Sequence, residues 1–279
     1  MTIEPVLDHA VVNVRDGLDD AAVRYRRLGF HLTERGHHTL GSSNHLAVFG
    51  ENYLELLGFE PGRQTQRADL WKHPPGLTGL VFKTDDPLAL HRSLDALKIP
   101  AEEPASFSRP VALPEGTKDA SFRVVRLGAE LVPNGRAFFC HHATPDLVWR
   151  DEWRDHPNGA ADIVEFVIAA RDPGAAVELY RGIFGEDAVS EVRGGYRLRA
   201  GTGNVCFLTP EAAQSRFAGA ARTEFEGALR MIGLTLKTRS LEQAREILKR
   251  NGIPIVDAEG GRIVVSSDEA AGVALAFTA

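Results

Sequence analysis

The chain repeats one short pattern, and this repeat constrains its fold more than any other feature. The segment GLVFKTDDPLALHRSLDALKIP, which begins at Gly79, is echoed by GLTLKTRSLEQAREILKRNGIP, which begins at Gly233. A second pair of similar strands, LDHAVVNVRD at 7–16 and DIVEFVIAARD at 162–172, also precedes amphipathic helical stretches. Each unit consists of an apolar strand, a helix and further short strands. The sequence therefore predicts four related units arranged as two similar halves.

The predicted units cover residues 1–76, 77–150, 161–210 and 231–279. The first half is thus 1–150 and the second is 161–279. The second unit carries a Pro-rich segment around 100–117 that we predict to be an irregular insertion. A strand–helix–strands unit covers only one face of its sheet with its own helix, so the units are expected to pair. Paired curved sheets enclose a concave space suited to a ligand.

Composition and charge narrow the classes of function. With 279 residues and 43% apolar content, the chain is long enough for two globular domains with cores. A net charge of −6 without a run of Lys or Arg argues against binding to nucleic acid or to an anionic membrane. The first residues, MTIEPVLDHAVV, lack the features of a signal peptide or transmembrane helix. We therefore expect a cytoplasmic protein of bacterial origin, either a monomer or a homodimer.

Several well-known catalytic patterns are missing from the sequence. There is no GxSxG elbow, no glycine-rich loop before a helix and no HExxH pair. The two cysteines, Cys140 and Cys206, lack metal-binding spacing, and we expect both to be buried as small apolar side chains. Hydrolase and nucleotide-binding functions are therefore disfavoured.

Two polar residues stand out in the apolar strands of the first unit. Strand alternation places His9 on the same face as Val11, and Glu55 on the same face as Tyr53 and Leu57. A carboxylate buried without a partner is costly, so this pair predicts a site that faces the enclosed space. Alternatively, His9 is a core histidine bonded to backbone, and Glu55 lies at the exposed edge of a strand.

The βαβββ repeat resembles the vicinal oxygen chelate superfamily, which includes glyoxalase I, extradiol dioxygenases, fosfomycin-resistance enzymes and bleomycin-binding proteins. Three segments are similar to the glyoxalase-like family within it: LDHAVVNVRD, HTLGSSNHLAVFGENYLELL and FFCHHATPDLVWRDEWRDHPNGA. The resemblance implies an α+β fold in which four βαβββ modules pair into two glyoxalase/bleomycin-resistance/extradiol-dioxygenase-like domains. Because these proteins differ widely in activity, the resemblance by itself does not assign a reaction.

The resemblance also implies a set of metal ligands. In the superfamily, the ligands lie on the first and last strands of paired modules, and His9 and Glu55 occupy those positions in the first module. In the second module, Gly79 occupies the first position and cannot bind a metal, whereas the last strand offers His141, with His142 as the alternative. The implied set of His9, Glu55 and His141 would bind Zn, Ni, Mn or Fe and leave positions open for substrate.

Five further residues are candidates for binding the substrate. His38, Asn44 and His45 form a polar cluster that is either a hydrogen-bonded turn or a loop contacting the substrate, with His38 or His45 as a replacement ligand. Arg123 either binds a substrate carboxylate or is an exposed arginine on a strand. Trp149 lies in the segment that joins the halves and serves either in packing between them or in a lid.

The second half lacks a comparable set. Glu165 replaces His9, Cys206 or Phe207 lies near the position of Glu55, and Gly233 matches Gly79. We therefore expect residues 161–279 to form a degenerate domain that supports the first half.

The sequence leaves three hypotheses for function. The first is a metal-dependent, glyoxalase-like lyase or isomerase that acts on a small substrate with vicinal oxygens, with Glu55 as a ligand or, if it detaches, the catalytic base. The second is a metal-free protein that binds a small aromatic or drug-like compound. The third is an extradiol-type dioxygenase.

Overall fold

The computed structural model describes residues 3–279, and its first half is built on one eight-stranded sheet. The strands of this half are β1 (Leu7–Arg15), β2 (Gly36–His37), β3 (Ser42–Val48), β4 (Tyr53–Phe59), β5 (Gly76–Lys83), β6 (Ala105–Leu113), β7 (Gly116–Arg126) and β8 (Arg136–His142). Its α-helices are α1 (Leu18–Arg27), α2 (Ala68–Lys72) and α3 (Pro87–Ala96). The strands lie in the order β2-β3-β4-β1-β5-β8-β7-β6.

The second half repeats this arrangement. Its strands are β9 (Ala160–Ala170), β10 (Val189–Val192), β11 (Gly195–Ala200), β12 (Gly203–Leu208), β13 (Leu229–Thr238), β14 (Val256–Ala258), β15 (Arg262–Val265) and β16 (Ala274–Thr278). Its α-helices are α4 (Pro173–Phe184), α5 (Pro210–Arg216) and α6 (Leu241–Arg250). The strand order is β10-β11-β12-β9-β13-β16-β15-β14, so the predicted α+β fold of paired modules is confirmed.

The modules join through their first strands. At the centre of the first sheet, β1 runs antiparallel to β5, and each of these strands runs parallel to the last strand of its own module, β4 or β8. In the second sheet, β9 likewise runs antiparallel to β13, β9 runs parallel to β12, and β13 runs parallel to β16. Ala10 pairs with Leu80 in one sheet and Phe166 pairs with Leu234 in the other, so Ala10 and Phe166 are equivalent positions.

The segment around 100–117 is not the irregular insertion predicted from its prolines. It contains β6 and the start of β7, which form a long antiparallel hairpin. Pro110 lies within β6, the strand at the edge of the sheet, where a missing backbone N–H group is tolerated. The prolines therefore indicated an edge strand.

The two halves share one hydrophobic core. It contains buried residues from both halves, among them Phe82 of β5 and Phe184 of α4, whose ring centroids are 4.9 Å apart. Tyr25 of α1 donates a hydrogen bond of 3.2 Å to the carbonyl oxygen of Ala270. A separate apolar cluster that includes Val11 and Phe122 covers the opposite, concave face of the first sheet. This sheet therefore separates the shared core from the space that could receive a ligand. None of the helices in the described part of the chain is long and apolar enough to cross a bilayer.

His156 lies buried between the halves and should make the stability of the protein depend on pH. Its Nδ1 atom accepts a hydrogen bond from the backbone of His31, and its Nε2 atom lies 2.9 Å from the carbonyl oxygen of Val48. Burial lowers the pKa of His156 to about 4, whereas an unfolded chain binds the proton near pH 6.5. The free energy of unfolding should therefore decrease as the pH falls from about 6.5 towards 4, by about 3 kcal/mol in total.

Urea unfolding at pH 7 and pH 4.5, with wild-type protein and His156→Gln, tests this prediction. The wild type should lose about 2–3 kcal/mol more stability than the variant between the two pH values. The other buried histidines are common to both proteins, so their contributions cancel. Equal losses in the two proteins would show that His156 is not responsible.

Candidate metal and ligand site

A narrow cavity lies on the concave face of the first sheet and opens to solvent. Because strand residues alternate between faces, polar side chains from several strands converge here. Its polar lining consists of His9, His38, Asn44, Glu55, Arg67, Arg109, Arg126 and Arg136. Its apolar lining includes Leu46, Tyr53, Phe107, Phe122, Phe138 and Cys140. The cavity thus combines an aromatic wall with one acidic and several basic groups.

A bulge in β1 lets Asp8 hold the ring of His9. The register between β1 and β5 shifts between Leu7 and His9. Oδ2 of the fully buried Asp8 lies 2.5 Å from Nδ1 of His9 and 2.9 Å from Nε2 of His142. Burial acts to raise the pKa of Asp8, but His142 and His9 outweigh it and hold this pKa well below its ordinary value. Because an ionised carboxylate only accepts, Nδ1 of His9 carries a proton, and Nε2 is the ring nitrogen left to bind a metal.

Glu55 faces this nitrogen. Its Oε2 atom lies 4.0 Å from Nε2 of His9, which is too far for a hydrogen bond. Its Oε1 atom accepts a hydrogen bond of 2.6 Å from Nδ2 of Asn44. Burial opposes ionisation, but His38, His9 and Asn44 together lower the pKa of Glu55. Nε2 of His9 and an ionised oxygen of Glu55 therefore face each other across a gap.

His38 lies on the other side of Glu55, just after β2. Its Nε2 atom is 3.9 Å from Oε1 of Glu55 and 3.2 Å from Nδ2 of Asn44. Its Nδ1 atom is 2.9 Å from the hydroxyl oxygen of Ser42. Burial lowers the pKa of His38 to about 4, so the ring is neutral near pH 7. Two imidazoles therefore flank one carboxylate.

The residue types suit a metal ion, and their donor atoms lie near bonding distances. Typical Zn–N and Zn–O bonds of about 2.0–2.2 Å place two ligand atoms of one tetrahedral ion about 3.4 Å apart, and about 4.2 Å is the limit when they lie on opposite sides of it. The 4.0 Å between His9 and Glu55 and the 3.9 Å between His38 and Glu55 lie just inside that limit. The donor atoms of all three residues do not lie within 4.8 Å of one another. To bind one ion together, the side chains would have to move closer, and His38 would give up its contact with Asn44.

Asp8, Cys140 and His142 form the one group of three in residues 3–279 whose potential ligand atoms all lie within 4.8 Å of one another. Asp8 already accepts hydrogen bonds from two histidines. Burial raises the pKa of the Cys140 thiol well above its ordinary value, so this sulfur keeps its proton. This group is therefore less suited to a metal than the group around Glu55. Both Cys140 and Cys206 are free and buried.

The structure does not bring His141 to the site. Along β8, the cavity is lined by Arg136, Phe138 and Cys140, so His141 lies on the opposite face, with Nδ1 3.2 Å from the carbonyl oxygen of Thr84. The position of β8 depends on the β6–β7 hairpin, which the sequence did not reveal. Arg123 pairs with His141 across β7 and β8 and also faces away from the cavity.

The remaining candidates take different positions. Asn44 lines the cavity and contacts both His38 and Glu55. The next residue along β3, His45, faces away, and its Nδ1 atom lies 2.8 Å from the carbonyl oxygen of Thr33. Trp149 packs against Tyr53 and His142, with centroid distances of 5.8 and 4.6 Å, so it lies beside the site.

The second half carries an ion pair at the equivalent place. Glu165 and Cys206 occupy the positions of His9 and Glu55. The carboxylate of Glu165 accepts hydrogen bonds from Arg216, from Thr235 at 2.8 Å and from the thiol of Cys206 at 3.3 Å. Its charge is therefore neutralised by α5, unlike that of Glu55.

Comparisons with solved structures show where this fold recurs. A hypothetical protein from Staphylococcus aureus has a TM-score of 0.65 and 13% identity, covering 98% of both chains. A triple mutant of 4-hydroxymandelate synthase from Streptomyces coelicolor has a TM-score of 0.59 and 13% identity, covering 99% of this chain and 92% of that one. A xylose isomerase-like TIM barrel/4-hydroxyphenylpyruvate dioxygenase fusion protein has a TM-score of 0.58 and 14% identity, covering 99% of this chain and 49% of that one. At such low identity, these similarities establish the fold alone.

A comparison with known protein families provides sequence evidence in addition to this structural similarity. A search of curated proteins finds no match. The glyoxalase-like domain family matches residues 7–184, which include both modules of the first half and the beginning of the second. This match covers more than half of the chain and coincides with the repeated modules of the fold. The chain therefore belongs to the glyoxalase-like domain family of the vicinal oxygen chelate superfamily.

Proposed function

We propose that the protein is a metal-dependent, glyoxalase-like lyase or isomerase acting on a small substrate with two adjacent oxygen atoms. The observation that carries this proposal is the gap of 4.0 Å between Nε2 of His9 and Oε2 of Glu55. Asp8 binds Nδ1 of His9 and so leaves Nε2 facing Glu55. A cation between Nε2 and the carboxylate would be attracted to both.

The residues of the site have separable roles in this proposal. His9, His38 and Glu55 would hold the ion, which as a Lewis acid would stabilise negative charge on the substrate oxygens. Asp8 orients the ring of His9, as outer-shell carboxylates do for metal-binding histidines. Asn44 holds Oε1 of Glu55, so Oε2 is the oxygen that would bind the ion or, if it detaches, take a proton from a substrate carbon.

A second reaction type has one observation in its favour. Two histidines and one carboxylate with open positions are typical of non-haem Fe(II) oxygenases. Dioxygenation of the same class of substrate is therefore the alternative. Oxygen consumption that requires Fe(II) and substrate would select it, whereas turnover under anaerobic conditions with Zn²⁺, Ni²⁺ or Mn²⁺ would select the lyase or isomerase.

Metal analysis tests the proposed ligands directly. Purified protein incubated with Zn²⁺, Ni²⁺, Mn²⁺ or anaerobic Fe²⁺ should retain close to one ion per chain. His9→Ala and Glu55→Gln should each lose more than the roughly 10–100-fold in affinity that removal of an outer-shell partner costs. His38→Ala should lose affinity as well. His141→Ala is the matched control and should bind like the wild type, because His141 lies on the opposite face.

Two outcomes would contradict the proposal. Wild-type protein that stays free of all four metals would indicate a metal-free binding protein that uses the same cavity for a small aromatic compound. Metal binding that survives both His9→Ala and Glu55→Gln would place the ion elsewhere.

A further inference from the structure

One arginine in the cavity is buried without an acidic partner. Arg109 of β6 is only 3% exposed, and its Nη2 atom has no hydrogen-bond partner among residues 3–279. The other three arginines of the cavity have carboxylate partners: Arg67 and Arg136 share Asp69 at 2.9 and 3.4 Å, and Arg126 pairs with Glu102 at 3.3 Å. In the described part of the chain, Arg109 has no ion pair of this kind.

Burying an arginine without a partner reduces the stability of the folded state. Burial lowers the pKa of Arg109, but a guanidinium group stays protonated in proteins, so its charge remains inside the cavity. An unpaired buried charge destabilises the folded state. A second polar atom nearby, Oδ1 of Asn44, is also buried without a partner. Both atoms are therefore free to bind something that enters the cavity.

Gly36 of β2 has no side chain, and this leaves space for the side chains of Asn44 and Arg109. A Cβ atom at this position would lie 2.5 Å from Oδ1 of Asn44 and 3.0 Å from Nη1 of Arg109. A larger residue would push the amide or the guanidinium out of place. The absence of a side chain at this position thus keeps both polar groups inside the cavity.

The aromatic side chains that line the cavity indicate the chemistry of the rest of the ligand. Phe107 and Phe122 stack with centroids 5.1 Å apart, and Phe138 meets the ring of His9 edge-on at 5.8 Å. Three of the four guanidinium groups of the cavity have a carboxylate partner, Asp69 or Glu102, so only Arg109 is left to bind a single negative charge. A ligand with one negative charge and an aromatic body fits this lining.

We infer that the cavity binds small aromatic carboxylates, with the carboxylate on Arg109 and the ring against Phe107 and Phe122. This inference rests on the proposed function because it takes the same cavity to be the substrate site. It adds the class of substrate and names Arg109 as the residue that selects it.

Calorimetry on metal-free protein, kept in a chelator, tests the inference without metal or turnover. Wild-type protein should bind phenylacetate at least about tenfold more tightly than the neutral phenylacetamide, and more tightly than the doubly charged phenylphosphonate. Arg109→Gln should lose about 10–100-fold in affinity for phenylacetate, the usual range for a hydrogen bond to a charged group. Arg123→Gln is the matched control and should bind like the wild type, because Arg123 lies on the other face of the sheet.

A stability measurement separates binding from a structural role. Arg109→Met should raise the Tm by about 2 °C or more, since it removes an unpaired buried charge. A lower Tm would show that the guanidinium supports the fold and would overturn the inference. Equal binding of phenylacetate and phenylacetamide, tighter binding of phenylphosphonate, undiminished binding by Arg109→Gln, or no binding of phenylacetate would also overturn it.

The two proposals can fail separately. Metal uptake without a preference for carboxylates would overturn the inference about Arg109 and leave the proposed metal function standing. An Arg109-dependent preference in a protein that takes up no metal would overturn the proposed metal function and support the aromatic-carboxylate site.

Discussion

Asp8→Ala should destabilise the protein by about 3 kcal/mol and weaken metal binding by about 10–100-fold. The fully buried carboxylate accepts hydrogen bonds from both His9 and His142, and each such bond to a charged group contributes roughly 1.5 kcal/mol or more. Its removal leaves two buried ring nitrogens without partners and frees the ring of His9 to rotate away from Glu55. Urea unfolding and competition with a chelator of known affinity measure the two effects.

Two matched variants sharpen this test. Asp8→Asn keeps the shape and one accepting oxygen but removes the charge, so it should fall between wild type and alanine in both measurements. Asp86→Ala removes the exposed N-cap of α3, which bonds the backbone of Leu88 and Ala89. It should lower stability slightly, through loss of the N-cap, and leave metal affinity unchanged. Unaltered metal affinity in Asp8→Ala would show that Asp8 does not orient a ligand.

Phe184→Ala should destabilise both halves together, by about 3–5 kcal/mol. The ring of Phe184 belongs to the second half but packs against Phe82 and Phe139 of the first, with centroid distances of 4.9 and 6.0 Å. Truncation leaves a void in the core that the halves share. Because this core joins the two sheets, fluorescence and circular dichroism should report one coincident transition, shifted to lower urea in the variant.

The control for this variant is Leu88→Ala on α3, whose side chain is 49% exposed and should change stability by less than about 0.5 kcal/mol. Two separate transitions in Phe184→Ala, with the first half unaffected, would show that the halves fold independently.

The repeat made the fold predictable, and strand alternation made part of the site predictable. His9 and Glu55 could be assigned to one face because the residues that follow His9 in β1 and those that flank Glu55 in β4 alternate between the two faces of the sheet. Alternation is a local property, so it needs no knowledge of neighbouring strands. His38 was left open between a turn and a ligand, because its contact with Glu55 depends on how β2 packs beside β3.

The other residues of the site depend on contacts between distant segments. Asp8 follows Leu7 in β1, and simple alternation turns it away from His9, whereas the bulge against β5 brings its carboxylate to the ring. Arg109 lies in a segment that the prolines marked as irregular, although it is an edge strand. His141 was assigned to the cavity because the hairpin before β8 concealed which face of that strand points inward.

The position of the first sheet, with the cavity on one side and the shared core on the other, has a consequence for how this protein can diverge. Neighbouring positions along one strand are under different structural constraints. His9 and Glu55 point to the cavity, while Ala10 and Leu56 are buried in the core. Relatives can therefore exchange their chemistry at every second position without disturbing the partner half. In a library of single substitutions, residues that affect catalysis and residues that affect folding should alternate along β1 and β4.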